Sequence, residues 1–387
     1  MIRMLTACTE ELDEVGEAVS EIMGQLDLGN NLLDNSVGLI FCDPEFIVSG
    51  IVEAVSKKLP FDTVGVTTRA GATKGVVSSI LFSISVLTAD DVMFSVARSR
   101  EITSENVDDV ISSAYKEAEG RLPEKPALAL VYPPMILSLG SYPVANAFFK
   151  VAENTPVFGT LPCSPFHDHR NSFTILNGVA YAESAVLVLL SGNIHPDFLM
   201  VSTPEQNLQK QYGIITKSDG CRVYMINGMS FTDYLVNNGI AKSSASYDLL
   251  YMIPFIVNFN DGSPPVARGL YSIKDDGPAV FGSEMPEGNT ISPGSLNYDG
   301  IMKTAENLMR QISLKKNING IIMYSCLARY LLLGLKNDDE LKKITEQVDG
   351  MTPYQACYSG GEICPVKNNA GEFINRMHNY TFIACVF

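Results

Sequence analysis

Arg329 closes the segment Tyr324-Ser-Cys-Leu-Ala-Arg, and Glu362 follows the glycine pair Gly360-Gly361. A guanidinium presents a bidentate fork to a carboxylate and a carboxylate accepts an ammonium, so together the two suit a zwitterion such as an amino acid. They are equally able to pair with each other at an interface. His167 and His169 form a His-x-His pair, with Cys163 four positions before the first. On a strand both imidazoles would point the same way and suit a metal or one axial haem bond. Pro162 and Pro165 favour an irregular polar loop instead. Cys357 and Cys364 flank the glycine pair, either as a redox pair or as two buried inert thiols. His195 reads as a turn residue. Lys74 follows Ala-Gly-Ala-Thr without the first glycine of a nucleotide loop, and no Gly-x-Ser-x-Gly elbow occurs.

The elements that would position these groups repeat. Val37–Pro44 is a buried-strand run, Ile47, Ile51 and Val55 share a helical face, and Phe61–Thr68 returns as a strand. Ala127–Pro134 repeats the pattern, with Ser141 as a helix cap and Pro143 in the first turn, and returns at Thr155–Pro162. A third copy runs from Gly320 to Cys326, through Leu341, Ile344 and Val348, and back at Tyr354–Gly361. A further apolar strand follows each copy, at 78–87, 184–192 and 380–387. Amphipathic helices are expected around Leu12–Ile22, Val107–Ala118 and Tyr298–Leu314. Ser202–Tyr212 is polar and aperiodic, a junction between domains spanning 1–210 and 211–387. After it, short apolar runs alternate with Asp, Gly and Pro clusters, so the second half opens as antiparallel β. The expected class is α/β, with an α+β C-terminal half: two lobes, repeated strand-helix-strand units and mixed sheets.

Length and composition bound the function. A chain of 387 residues holds two or three domains at about 150 residues each. With 46% apolar and 18% charged residues it is a folded globular chain. Its net charge of −15 repels phosphate backbones, so nucleic acid is not an expected partner. The longest apolar run, Ala185–Leu190, is far short of the ~18–20 residues that cross a bilayer. The first residues turn acidic before an apolar stretch develops, which argues against a secretion signal and for a cytoplasmic protein. Its eight cysteines then read as free thiols.

Several of these segments, in order, resemble the FIST family, the F-box and intracellular signal transduction proteins. Ser325, Cys326 and Arg329 match its Ser-Cys-x-x-Arg strand end. Gly361, Glu362, Ile363 and Pro365 match its Gly-Glu-Ile segment, and His378, Asn379 and Thr381 its closing strand. The N-terminal half fits through Leu39–Pro44, Val64–Gly71 and Asn177–Gly192. Phe158–Arg170 departs from the family's small-residue run with an Asp. The resemblance implies a non-catalytic sensory module that binds a small polar ligand and passes the signal to a separate protein. It implies ligand contacts at Ser325, Cys326, Arg329, Tyr358, Gly361, Glu362 and Asn379. It also leaves haem open as a cofactor, since some family members are haem proteins. An enzyme would have to draw on Cys326, Cys357 or Glu362, and no complete set of nucleophile and base is legible.

Overall fold

The computed structural model describes residues 2–165, 169–203, 212–241, 252–273 and 277–387. The expected junction at Ser202–Tyr212, and with it the boundary at 210, falls mostly in the interval 204–211, outside the described residues.

Three copies of one unit build the body of the molecule. Copy one places strands Arg3–Thr9, Asn35–Cys42 and Thr63–Thr67 in that order, then a short hairpin, Gly71–Thr73 with Val76–Ser78, then strand Phe82–Ala89. Copy two runs through Val92–Arg98, Leu128–Tyr132 and Val157–Thr160, the hairpin Thr174–Leu176 with Val179–Tyr181, and Val186–Gly192. Copy three runs through Asp197–Val201, Ile321–Cys326 and Tyr354–Ser359, the hairpin Glu362–Lys367 with Phe373–His378, and Phe382–Val386. In every copy the second and third strands are parallel, and the last strand lies antiparallel between the first and second. Each six-stranded sheet is completed by the hairpin of another copy: copy two's on sheet one, copy three's on sheet two, copy one's on sheet three.

The exchange is cyclic, and so are the hydrogen bonds that seal it. Arg69 N donates to Tyr358 O at 3.2 Å, Cys163 N to Thr67 O at 2.9 Å and Gly360 N to Leu161 O at 3.0 Å. Arg69, Cys163 and Gly360 hold one position of the repeat, and each donates to the position two residues earlier in another copy, held by Thr67, Leu161 and Tyr358. Strand pairing fixes the other equivalences. Phe41, Tyr132 and Tyr324 hold one position, and all three point into a shared apolar core. Phe41 meets Tyr132 at 6.1 Å and Tyr324 at 5.3 Å between ring centroids, and the two tyrosine hydroxyls are 3.3 Å apart. The outer face of each sheet packs on its own helices, so central strands such as Leu128–Tyr132 and Ile321–Cys326 are buried on both faces. Helix Val15–Leu26 shows why: Ala18, Ile22 and Leu26, four apart, are its buried stripe. The helix expected across Glu45–Lys58 breaks in two at Gly50, whose φ is +82°.

Copy three carries a large insertion between its first strand and helix Tyr298–Ser313. The insertion folds into an eight-stranded antiparallel sheet with its own core. An ionic cluster clamps it to copy three's hairpin. Arg268 donates to Met377 O at 2.8 Å and to Glu284 Oε1 at 3.0 Å. Arg376, from the hairpin, bonds Asp261 and Glu284 and lies 3.7 Å over the Phe259 ring. The α/β class, repeated units and mixed sheets expected from the sequence are therefore present. Among the described residues no helix is long and apolar enough to cross a membrane.

Candidate functional site

The clamp brings Gly269–Tyr271 of the insertion over the ends of copies two and three, and a cavity of about 630 Å³ lies between them. Copy two contributes the loop after its second strand, Met135, Ile136, Leu137, Gly140 and Ser141. Copy three contributes Cys326, Leu327, Ala328 and Leu331 after its second strand, with Gly360, Asn379 and Tyr380. His169 also faces it. The walls are mostly apolar, with a few polar groups, as in small-molecule sites. Three of those polar groups meet. The Tyr271 hydroxyl lies against Ser141 and Asn379, and desolvation there pushes it well above an ordinary phenol. Asn379 Oδ1 accepts from Gly269 N at 3.1 Å. Gly282 is bare at this point: a Cβ would stand 2.7 Å from the Tyr271 oxygen. Ser141 heads helix Tyr142–Ala152 as expected but makes no capping bond; its hydroxyl donates toward Met135 Sδ at 3.7 Å.

Arg329 is elsewhere, fully buried behind the cavity wall. Its Nε donates to Glu340 Oε1 at 3.1 Å, Nη1 to Tyr380 O at 3.3 Å, and Nη2 to Thr304 Oγ1 at 2.8 Å, to Ile301 O at 3.3 Å and to Glu340. Ser325 donates to the other Glu340 oxygen at 2.7 Å. The guanidinium is thus committed within the protein, so it offers no fork to a ligand carboxylate. Nor does it pair with Glu362, the alternative drawn from sequence. Tyr358 is also internal: its hydroxyl donates to Asn337 O at 3.2 Å, and its ring meets Tyr330 edge-on. Gly361 is buried, with its carbonyl accepting from Thr160 Oγ1 at 2.8 Å.

Glu362 is fully buried at the start of copy three's hairpin. Thr381 Oγ1 donates to its Oε2 at 2.7 Å, the Cys326 thiol lies beside the carboxyl, and Oε1 has no hydrogen-bond partner. Burial outweighs these donors and pushes the carboxyl up to about 8, while burial and Glu362 together hold the Cys326 thiol well above the usual range. Of the seven ligand contacts expected from sequence, Cys326 and Asn379 line the cavity, and Glu362 stands against Cys326.

The remaining candidates are dispersed. Cys163 is buried with its thiol directed to Tyr358 O at 3.4 Å, and burial raises it to about 12. His167 lies outside the described residues. No group of three or more His, Cys, Asp or Glu residues that could hold a metal occurs among the described residues. Among the described residues the cavity lining has one imidazole, His169, and no lysine or arginine to receive haem propionates, so these residues do not fit haem. Cys357 and Cys364 lie in the shared core, both thiols raised by burial. His378 is a neutral core histidine, its Nε2 on Cys364 O at 2.9 Å and its basicity lowered to about 3 by burial.

Models of two domains of one family match the chain in sequence: the FIST N domain over residues 36–229 and the FIST C domain over 231–365. The chain belongs to the FIST family. FIST domains are sensor modules of signal transduction, and in this FIST protein the second match covers Cys326, Arg329 and Glu362 but ends before Asn379 and Thr381. No curated protein matches the chain. Among solved structures it is similar to a cyanuric acid hydrolase from A. caulinodans, at 9% identity and a TM-score of 0.39, covering 100% of this chain and 99% of that one. A second cyanuric acid hydrolase, described as an evolutionary innovation by structural concatenation, gives 10% identity and a TM-score of 0.36, covering 100% and 98%. Likeness at this level transfers no activity.

The polar cluster Ser141–Tyr271–Asn379 and the partner Glu340 were not foreseen. Tyr271 stands in an insertion whose fold against the body has no local signature. Glu340 belongs to an acidic Asp-Asp-Glu run that reads as the solvated first turn of a helix.

Proposed function

We propose that the chain is a sensor that lodges a small, largely apolar molecule in the cavity between copy two, copy three and the insertion, and signals through a separate protein. One observation carries this reading: the cavity is walled by three separate parts of the fold, and its polar cluster joins all three. A ligand that bridges them changes how firmly the insertion is held. An amino acid, the ligand first expected, would need a cation for its carboxylate, and Arg329 is committed to Glu340. A thiol enzyme would need Cys326 as thiolate, which burial and Glu362 both oppose. Eight unpaired thiols fit a cytoplasmic setting.

A thermal-shift screen of apolar and polar fragments, with the common amino acids included, tests the reading against Leu331→Trp, which fills the cavity. Compounds that raise the melting temperature of the parent protein are expected to lose that effect in the variant. Equal stabilisation of both proteins would reject the cavity as the site.

A further inference from the structure

The three copies act as internal controls for one another. Glu362 pairs with Thr160 across the sheet, as Thr174 pairs with Val66 and Gly71 with Cys357, so Glu362, Thr174 and Gly71 hold one position. Two copies build the same hairpin start with a threonine and a glycine. The fold itself therefore does not call for a carboxyl there. By the same registers Cys326 corresponds to Asp43 and Pro134, and Thr381 to Leu81 and Ser184. Only copy three combines a carboxyl, a thiol and a hydroxyl at these positions, and there the thiol, Cys326, lines the cavity with the carboxyl behind it.

The surroundings of that carboxyl are those of a carboxylate that lacks its cation. The Thr381 hydroxyl donates to Oε2, the Cys326 thiol stands beside it, and Oε1 is fully buried without a partner. The other titratable groups that face it are the Cys163 and Cys357 thiols, both held protonated by burial, and the hydroxyl of the half-exposed Tyr271. The nearby cation Arg329 acts on it, but its donors are spent on Glu340, Thr304 and backbone carbonyls. A buried carboxylate is tolerated when paired. Among the described residues that line the cavity there is no lysine or arginine to pair with it at the wall.

We propose that the ligand is a small hydrophobic primary amine whose body fills the apolar cavity and whose ammonium reaches past the Cys326 thiol to Glu362 Oε1. The proposal rests on the cavity being the ligand site. Binding pairs an ammonium with an ionised Glu362, so a proton leaves the carboxyl as the amine enters. Because that carboxyl is held up near 8 in the empty protein, affinity rises with pH until Glu362 is ionised and falls again once the amine loses its own proton. Thr381 and Cys326 are positioning residues for the carboxyl.

Calorimetric titration with benzylamine, benzyl alcohol and phenylalanine tests this on the parent chain, Glu362→Gln and Leu331→Trp. In the parent, benzylamine is expected to bind at least tenfold more tightly than benzyl alcohol. Phenylalanine should gain nothing over benzylamine, since no free guanidinium meets its carboxylate. Glu362→Gln should bind the two benzyl compounds alike, and Leu331→Trp should bind neither. Between pH 6 and 8 the benzylamine affinity of the parent should rise about fiftyfold in all, steeply at first and levelling towards 8, a dependence a purely structural Glu362 would not produce. This profile decides the matter if Glu362→Gln does not fold. Equal affinities in the parent, or a preference for the amine that survives in Glu362→Gln, would overturn the proposal. Binding of benzyl alcohol without benzylamine would reject the amine and keep the cavity. Failure of every probe, or binding unchanged in Leu331→Trp, would reject both.

Discussion

Arg329 and Glu340, both fully buried, form a pair in which two guanidinium nitrogens donate to Glu340 Oε1 while Ser325 donates to Oε2. The pair ties helix Leu327–Leu333, which directly follows copy three's second strand and carries Arg329, to helix Asp339–Val348. Removing one partner strands the other charge in the core, which costs about 3–5 kcal/mol. Arg329→Ala should lower unfolding stability by that amount in urea titrations and leave the affinity of the cavity unchanged in the protein that remains folded. A loss below about 1 kcal/mol would mean that the pair is solvated.

The repeat makes a second prediction through two glycines. A Cβ on Gly65 would stand 1.8 Å from Ile40 O, and one on Gly159 1.9 Å from Val131 O. Neither carbonyl can move, because both are in the middle of the sheet. Copy three carries Ala356 at the matching position, opposite Met323, so its strands have room for a methyl. Gly65→Ala and Gly159→Ala should abolish accumulation of folded protein. Ala356→Gly should cost only about 0.5–1 kcal/mol. Mild effects at both glycines would contradict the close approach.

Two buried groups give the stability an opposed pH dependence. Glu362 is raised to about 8 in the folded chain from roughly 4.3 in the unfolded one. It therefore keeps its proton on folding, and its contribution, complete below the unfolded value, is lost as pH rises towards 8. His378 is lowered to about 3 from roughly 6.5, so its contribution is complete above 6.5 and is lost as pH falls. Each slope is about 1.4 kcal/mol per pH unit. The two cancel where their ranges overlap, between about 4.3 and 6.5. Subtracting the Glu362→Gln curve from the parent curve in urea should isolate a fall with pH up to about 8. A flat difference would show that Glu362 ionises normally.

The strand-helix-strand runs were legible because each carries its own periodicity: continuous apolar strands such as Leu128–Tyr132 and stripes such as Leu341, Ile344 and Val348. The cyclic exchange of hairpins was not, since the bond from Gly360 to Leu161 joins residues about 200 positions apart and leaves no local pattern. The same reason hid the site. Cys326, Glu362 and Asn379 stood out as strand-end residues, whereas Ser141 and Tyr271 acquire meaning only when copy two and the insertion close around them. Arg329 misled because a lone arginine at a strand end looks available, and its acidic partner lies on the next helix.

The central claim is that the cavity between copy two, copy three and the insertion is the ligand site, and methyl NMR reads it most directly. With isoleucine, leucine and methionine methyls labelled, benzylamine is added to the intact chain. The account predicts saturable shifts at Met135, Ile136, Leu327 and Leu331, with Ile22 and Leu26, in the separate core of copy one, unmoved. Shifts absent from the first four, or centred on other methyls, would contradict it.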